Sequence, residues 1–109
     1  MSDFITIGTL DELSPGGEPI VVDINRRWVA VYNIDGNYYA IEDRCTHDDG
    51  PLAEGELNGC IVTCPRHGAR FDVTSGEALS GPAGTINVPT YDVRVVGDEI
   101  QISTKRKTS

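Results

Sequence analysis

The pattern Cys45-Thr46-His47, sixteen intervening residues, then Cys64-Pro65-Arg66-His67 constrains this chain more than any other feature. Each half offers one thiol and one imidazole, so the fold must bring two loops together with four donors converging. The only two histidines of the chain both fall inside this pattern. Such an S2N2 set suits either a tetrahedral zinc ion or a 2Fe–2S centre in which two thiolates hold one iron and two imidazoles the other. Zinc knuckles more often pair two cysteines on one loop, and a Cys-x-His step followed by Cys-x-x-His is unusual for them. The same pairing lets each loop of a mixed-ligand 2Fe–2S centre reach both irons.

The remaining composition sets the context for that site. The 109 residues are expected to form one domain spanning 1–109, large enough to bury a core without disulfide staples. Three cysteines are an odd number, and in a reducing compartment a Cys/His pattern favours metal over disulfide. Cys60, in the run Cys60-Ile61-Val62, reads as a small apolar filler and not as a ligand. Seventeen acidic against nine basic residues give a formal charge of −8, which argues against nucleic-acid binding. No apolar run reaches the ~18 residues of a membrane span, and Met1-Ser2-Asp3-Phe4 does not open a signal peptide. A cytoplasmic protein without membrane contact is expected. The basic cluster Lys105-Arg106-Lys107 reads as a frayed terminus.

Along the chain, Phe4–Ile7 alternates as a strand, and Thr9–Leu13 reads as one capped helical turn. Pro19–Asp23 is a β-branched run. Trp28–Ile34 and Tyr38–Ile41 flank Asp35-Gly36-Asn37, a hairpin signal. From Glu42 to about Gly84, glycine, proline, charge and all three cysteines concentrate, with short apolar pieces at 60–63 and 70–73. Tyr91–Val96 and Glu99–Ser103 then return to strand patterning about a Gly97-Asp98 turn. No helix-period segment of useful length exists. These signals predict an all-β chain: an antiparallel sandwich or barrel base with an inserted, loop-rich cluster-binding subdomain at approximately 43–84.

The motifs, together with Gly68, Ala69-Arg70-Phe71-Asp72, Thr74-Ser75-Gly76 and the proline-bearing Ser80-Gly81-Pro82-Ala83, resemble the Rieske ferredoxin family over essentially the whole chain. The resemblance implies the fold of Rieske iron–sulfur proteins and one Rieske 2Fe–2S cluster held by Cys45, His47, Cys64 and His67. Respiratory members of the family carry two further cysteines that form a disulfide. The equivalent positions here are Gly50 and Arg66. Those members also carry a serine and a tyrosine whose hydroxyls donate to the cluster region, where this chain has Ala69 and Phe71. Loss of such donors implies the low end of the Rieske range, near roughly −150 mV. Leu52, Pro82 and Ala83 read either as an apolar collar around the cluster tip or as ordinary loop packing. Asp48, Asp49, Glu54 and Glu56 either steer a basic partner or solvate the loop.

The resemblance implies an electron carrier and not an enzyme. Single electrons would pass from a flavin-dependent ferredoxin reductase to a terminal oxygenase, through transient contacts and with the carrier a monomer. Both histidines are committed, so no 2-His-1-carboxylate iron site can be assembled within the chain. The alternatives are a small subunit of an assimilatory nitrite reductase, some of which keep the fold without the ligands, and a non-redox zinc-binding interaction module.

Overall fold

A computed structural model describes residues 3–44, 51–65, 68–82 and 85–108 of the chain. They form eleven strands in three antiparallel sheets, with one short 3-10 turn at Leu10–Glu12. The terminal sheet has the order β1 (Phe4–Thr9), β11 (Glu99–Ser103), β10 (Val93–Val96). The central sheet runs β2 (Ile20–Ile24), β3 (Arg27–Ile34), β4 (Asn37–Glu42), β9 (Thr90–Tyr91). The third runs β5 (Glu56–Asn58), β6 (Ile61–Thr63), β7 (Arg70–Asp72), β8 (Ala78–Ser80) and lies within the segment expected to be inserted.

The central hairpin forms where Asp35-Gly36 predicts it. Ile34 pairs with Asn37, and both turn residues have positive φ, 53° at Asp35 and 89° at Gly36. That is the type I′ geometry whose twist matches its flanking strands. Asn33 Oδ1 accepts the Gly36 N–H at 2.8 Å, while its Nδ2 donates to the Leu13 carbonyl at 2.8 Å and so fastens the preceding connection.

Strand β3 is buried on both faces, from Val29 to Asn33. Its alternation divides the interior in two. Val29 and Val31 join Ala40, Tyr91, Ile100 and Ile102 in a core between the central and terminal sheets. Ala30 and Tyr32, with Ile41, face the other way and pack with Leu52, Val62, Cys64, Ala69, Phe71, Val73 and Val88. The third sheet thus shares its core with the free face of the central sheet. Between β9 and β10 only Asp92 intervenes as the chain passes from the central to the terminal sheet.

The basic tail is not frayed. Lys107 exchanges two backbone hydrogen bonds with Thr90, at 2.9 and 2.8 Å, and its Nζ lies 3.0 Å from Asp92 Oδ1. Arg106 donates through Nε at 3.0 Å and Nη2 at 3.2 Å to Glu42, whose side chain is only 4% exposed. That hydrogen bonding holds Arg106 more firmly protonated than a free guanidinium. A buried carboxylate needs counter-charge, and the tail delivers one of the groups that provide it.

Two glycines in this frame separate backbone strain from crowding. Gly36 faces open space, whereas a Cβ on Gly76 (φ 79°) would sit 2.2 Å from the Val88 carbonyl oxygen. Gly36→Ala is expected to destabilise by about 1 kcal/mol and Gly76→Ala by several-fold more, as measured by urea unfolding. The Tyr32 hydroxyl is buried with no partner among the described residues. Burial first, then the Asp43 carboxylate, push this phenol well above its ordinary value near 10. The unfolded chain releases the proton first, so stability falls as pH rises above about 10. Tyr32→Phe is expected to flatten that alkaline limb in unfolding curves without lowering stability at neutral pH.

Candidate metal centre

The second ligand motif follows β6 directly. Cys64 donates its backbone N–H to the Ala69 carbonyl at 2.7 Å, and Gly68 donates back to the Cys64 carbonyl at 3.2 Å. Gly68 has φ 74°, a conformation that lets the chain reverse between β6 and β7. These bonds close a knuckle whose first residue, Cys64, is 2% exposed and free of any disulfide. Ala69 and Phe71 behind it are fully buried. Neither brings a hydroxyl to the thiol, as their side chains dictate.

The first motif departs from the end of β4. Asp43 donates its N–H to the Trp28 carbonyl at 2.7 Å, and its Oδ1 accepts the Ala53 N–H at 2.7 Å. Residues 43 and 53 are thus tied across the segment that carries Cys45 and His47. On the far side, Gly55 donates to the Leu52 carbonyl at 2.9 Å. Leu52 is fully buried in the core cluster that contains Cys64. It therefore belongs to the interior and not to an exposed apolar collar. Leu52, after the first motif, and Cys64, in the second, thus share one hydrophobic cluster.

The proline-bearing third loop closes against the knuckle. A Cβ on Gly81 (φ 151°) would lie 2.9 Å from the Ala69 Cβ and 2.8 Å from Thr85 Oγ1, which donates to the Pro82 carbonyl at 2.7 Å. Pro82 is half-buried here, and Ala83 lies outside the described residues, as do Cys45, His47, His67, Asp48, Asp49, Gly50 and Arg66. Glu54 and Glu56 are exposed. Cys60 sits in the turn before β6, half-buried against the core, and its carbonyl accepts the Val73 N–H at 2.9 Å. That position suits the filler role.

The part of the site within the described residues fits the expected centre. One buried, unbridged thiol stands on a knuckle with a glycine-only approach beside it, and the chain supplies the thiolate–imidazole donor set such a centre requires. Among the described residues no three His, Cys, Asp or Glu side chains gather to hold a metal; three of the four expected ligands lie outside them. Sequence reading missed two supporting residues. Asp43 carries no signal of its own, since its role comes from a contact ten residues away. Glu42 was detectable: it shares strand parity with the inward-facing Ala40, and an acid on a buried face demands partners.

A family model of the Rieske [2Fe-2S] domain matches residues 3–92. The ferredoxin component of the naphthalene 1,2-dioxygenase system of Pseudomonas aeruginosa is 36% identical over 88 residues, which is 81% of this chain and 84% of that one. Among solved structures, the ferredoxin of carbazole 1,9a-dioxygenase from Nocardioides aromaticivorans IC177 superposes with a TM-score of 0.85 at 33% identity, over 94% of this chain and 98% of that one. A chain from a complex of reduced oxygenase and oxidized ferredoxin in carbazole 1,9a-dioxygenase superposes with a TM-score of 0.89 at 28% identity, over the full length of both.

The contact at Gly81 makes the third loop testable. Gly81→Ala is expected to push that loop off Ala69 and lower the iron content per purified chain, while Cys60→Ser leaves iron content unchanged. Equal iron in all three proteins by metal analysis would refute the assigned geometry.

Proposed function

We propose a function from one premise: the chain belongs to the Rieske [2Fe-2S] domain family. It is a low-potential Rieske ferredoxin of an aromatic-ring dioxygenase system, carrying single electrons from a flavin-dependent reductase to a terminal oxygenase. The observation that carries this reading is the match of the Rieske domain over residues 3–92, with relatives that are themselves ferredoxin components of such systems. The complex of oxygenase and ferredoxin to which this fold superposes supports the terminal oxygenase as acceptor. The reductase as donor rests on the kind of system those relatives belong to.

The ligands are Cys45, His47, Cys64 and His67, in a cluster-binding subdomain at approximately 43–84 within the single domain 1–109. When bound, the 2Fe–2S cluster supplies a one-electron redox centre. The rest of the work falls to the chain. Leu52, Val62, Ala69 and Phe71 keep water from the thiolate side, a burial supported by their near-zero exposure. The Asp43–Ala53 bond fixes the two ends of the first ligand loop without a disulfide. Ala69 and Phe71 withhold hydroxyl donors from the Cys64 side, which keeps the potential low. As the imidazole ligands, His47 and His67 would give the electron its way in and out.

The protein acts as a soluble cytoplasmic monomer and transforms no substrate itself. No helix among the described residues is long and apolar enough to cross a membrane. Transient electron-transfer contacts are small, typically below ~1,200 Å², an area that a monomer of this size can offer.

The purified protein is expected to be red-brown, with visible bands that bleach on dithionite and an electron paramagnetic resonance signal of mixed Cys/His ligation in the reduced state. His67→Ala should abolish the signal. A colourless protein containing one zinc would sink the reading.

A further inference from the structure

The chain carries a net charge of −8, yet four of its seven arginines gather at one place on the central sheet. A cavity of about 310 Å³ is lined by Arg26, Arg27, Trp28, Glu42, Asp43, Arg44 and Arg106. Four guanidiniums there face two carboxylates. Glu42 is the buried hub: Arg106 binds it in a bidentate manner, Arg44 Nε lies 3.2 Å away and Arg27 Nε 3.4 Å away. Arg27 uses one nitrogen on Glu42 and keeps half of its side chain exposed. Its terminal nitrogens remain available to a further acceptor.

Arg26 is more telling. It occupies the second position of the two-residue turn joining β2 to β3, where Ile24 pairs with Arg27. Asn25 and Arg26 have φ of 51° and 69°, the type I′ geometry in which glycine is the favoured second residue. An arginine there costs about 1 kcal/mol of stability. In return it presents a guanidinium with no partner among the described residues at the edge of the cavity. Trp28, the only tryptophan of the chain, stands beside it 60% exposed. Arginine and tryptophan together are the side chains most enriched where binding energy concentrates in protein interfaces.

We propose that this face, built from Arg26, Arg27, Trp28 and Arg106, docks an acidic surface segment of a protein redox partner. The identity of that partner rests on the electron-carrier reading; the surface itself does not. Arg44, which also lines the cavity, is the residue immediately before Cys45. A partner seated on the face is therefore anchored at the foot of the first ligand loop. Guanidinium forks match carboxylates in pairs, and an exposed indole supplies the apolar contact that a small anion has no use for.

The test is a titration of the cluster-loaded protein with a hexaglutamate peptide, read by the emission of Trp28 as the only indole present. A saturable change that disappears at high salt is expected, with no change from hexalysine and only weak competition from inorganic phosphate. Arg26→Gly separates docking from folding. It is expected to raise the unfolding midpoint in urea, because glycine relieves the turn, and to weaken hexaglutamate binding about fivefold. Adding Arg27→Gln should weaken it further. The proposal is overturned if hexaglutamate leaves the emission unchanged, if hexalysine acts alike, if phosphate saturates the site as tightly, or if Arg26→Gly binds as the parent does. None of these outcomes involves electron transfer, so failure here leaves bleaching by dithionite, and the carrier reading, untouched.

Discussion

Everything in this molecule depends on one strand being buried on both sides. Strand β3 sends Val29 and Val31 into one core and Ala30 and Tyr32 into the other. Because side chains alternate with a period of two, a one-residue slip would exchange these sets and drive Tyr32 into the space of a valine. The Asp35-Gly36 turn prevents that slip by fixing Ile34 opposite Asn37. The register set there decides where Ala30 and Tyr32 stand, and so what the third sheet packs on. The third sheet consists of three-residue strands and shares its core with the central sheet. The knuckle bearing Cys64 therefore takes its position from a hairpin some thirty residues earlier in the chain.

The second constraint is electrostatic. An ionised carboxylate left alone in the interior is penalised by several kcal/mol, so Glu42 is tolerable only with its arginines in place. They come from three separate parts of the chain: Arg27 at the start of β3, Arg44 just past β4, and Arg106 in the tail. One buried acid thus pins the tail, the central hairpin and the root of the first ligand loop together. Arg106 also lies near Tyr91, whose phenol is raised by burial and by Glu42. The tail is structural for this reason, not for any pattern in its own sequence.

How much of this was legible depended on the range of the interaction concerned. The Asp35-Gly36 hairpin, the strand expected at 4–7 and extending in the structure to Thr9, the strand at 99–103, and the ligand spacing are local signals, and they were readable. The all-β class and the Rieske resemblance followed from them and agree with the fold and family found here. Strand β5 was not readable, because Glu56-Leu57-Asn58 has a polar edge-strand composition and exists only by pairing with β6. Lys105–Lys107 looked like a solvated terminus because its partners, Asp3, Glu42, Thr90 and Asp92, are distant in sequence. Leu52 sat in a glycine- and proline-rich stretch whose composition suggests surface, while its side chain fills the core. For the site, Cys64 is buried and unbridged, while Cys45, His47 and His67 lie outside the described residues.

The pairing of β1 with β11 has a kinetic meaning. Phe4 lies opposite Ser103 and Ile5 opposite Ile102, so this ladder closes a loop of almost the entire chain. Closure entropy grows only logarithmically with loop length, so the equilibrium penalty is modest. The search is slow all the same, since such contacts form only after the intervening chain has condensed. The β3–β4 hairpin, closed by two residues, carries the opposite character. Topology therefore sets an order of assembly in which the hairpin under the ligand loops nucleates early and the terminal ladder zips last.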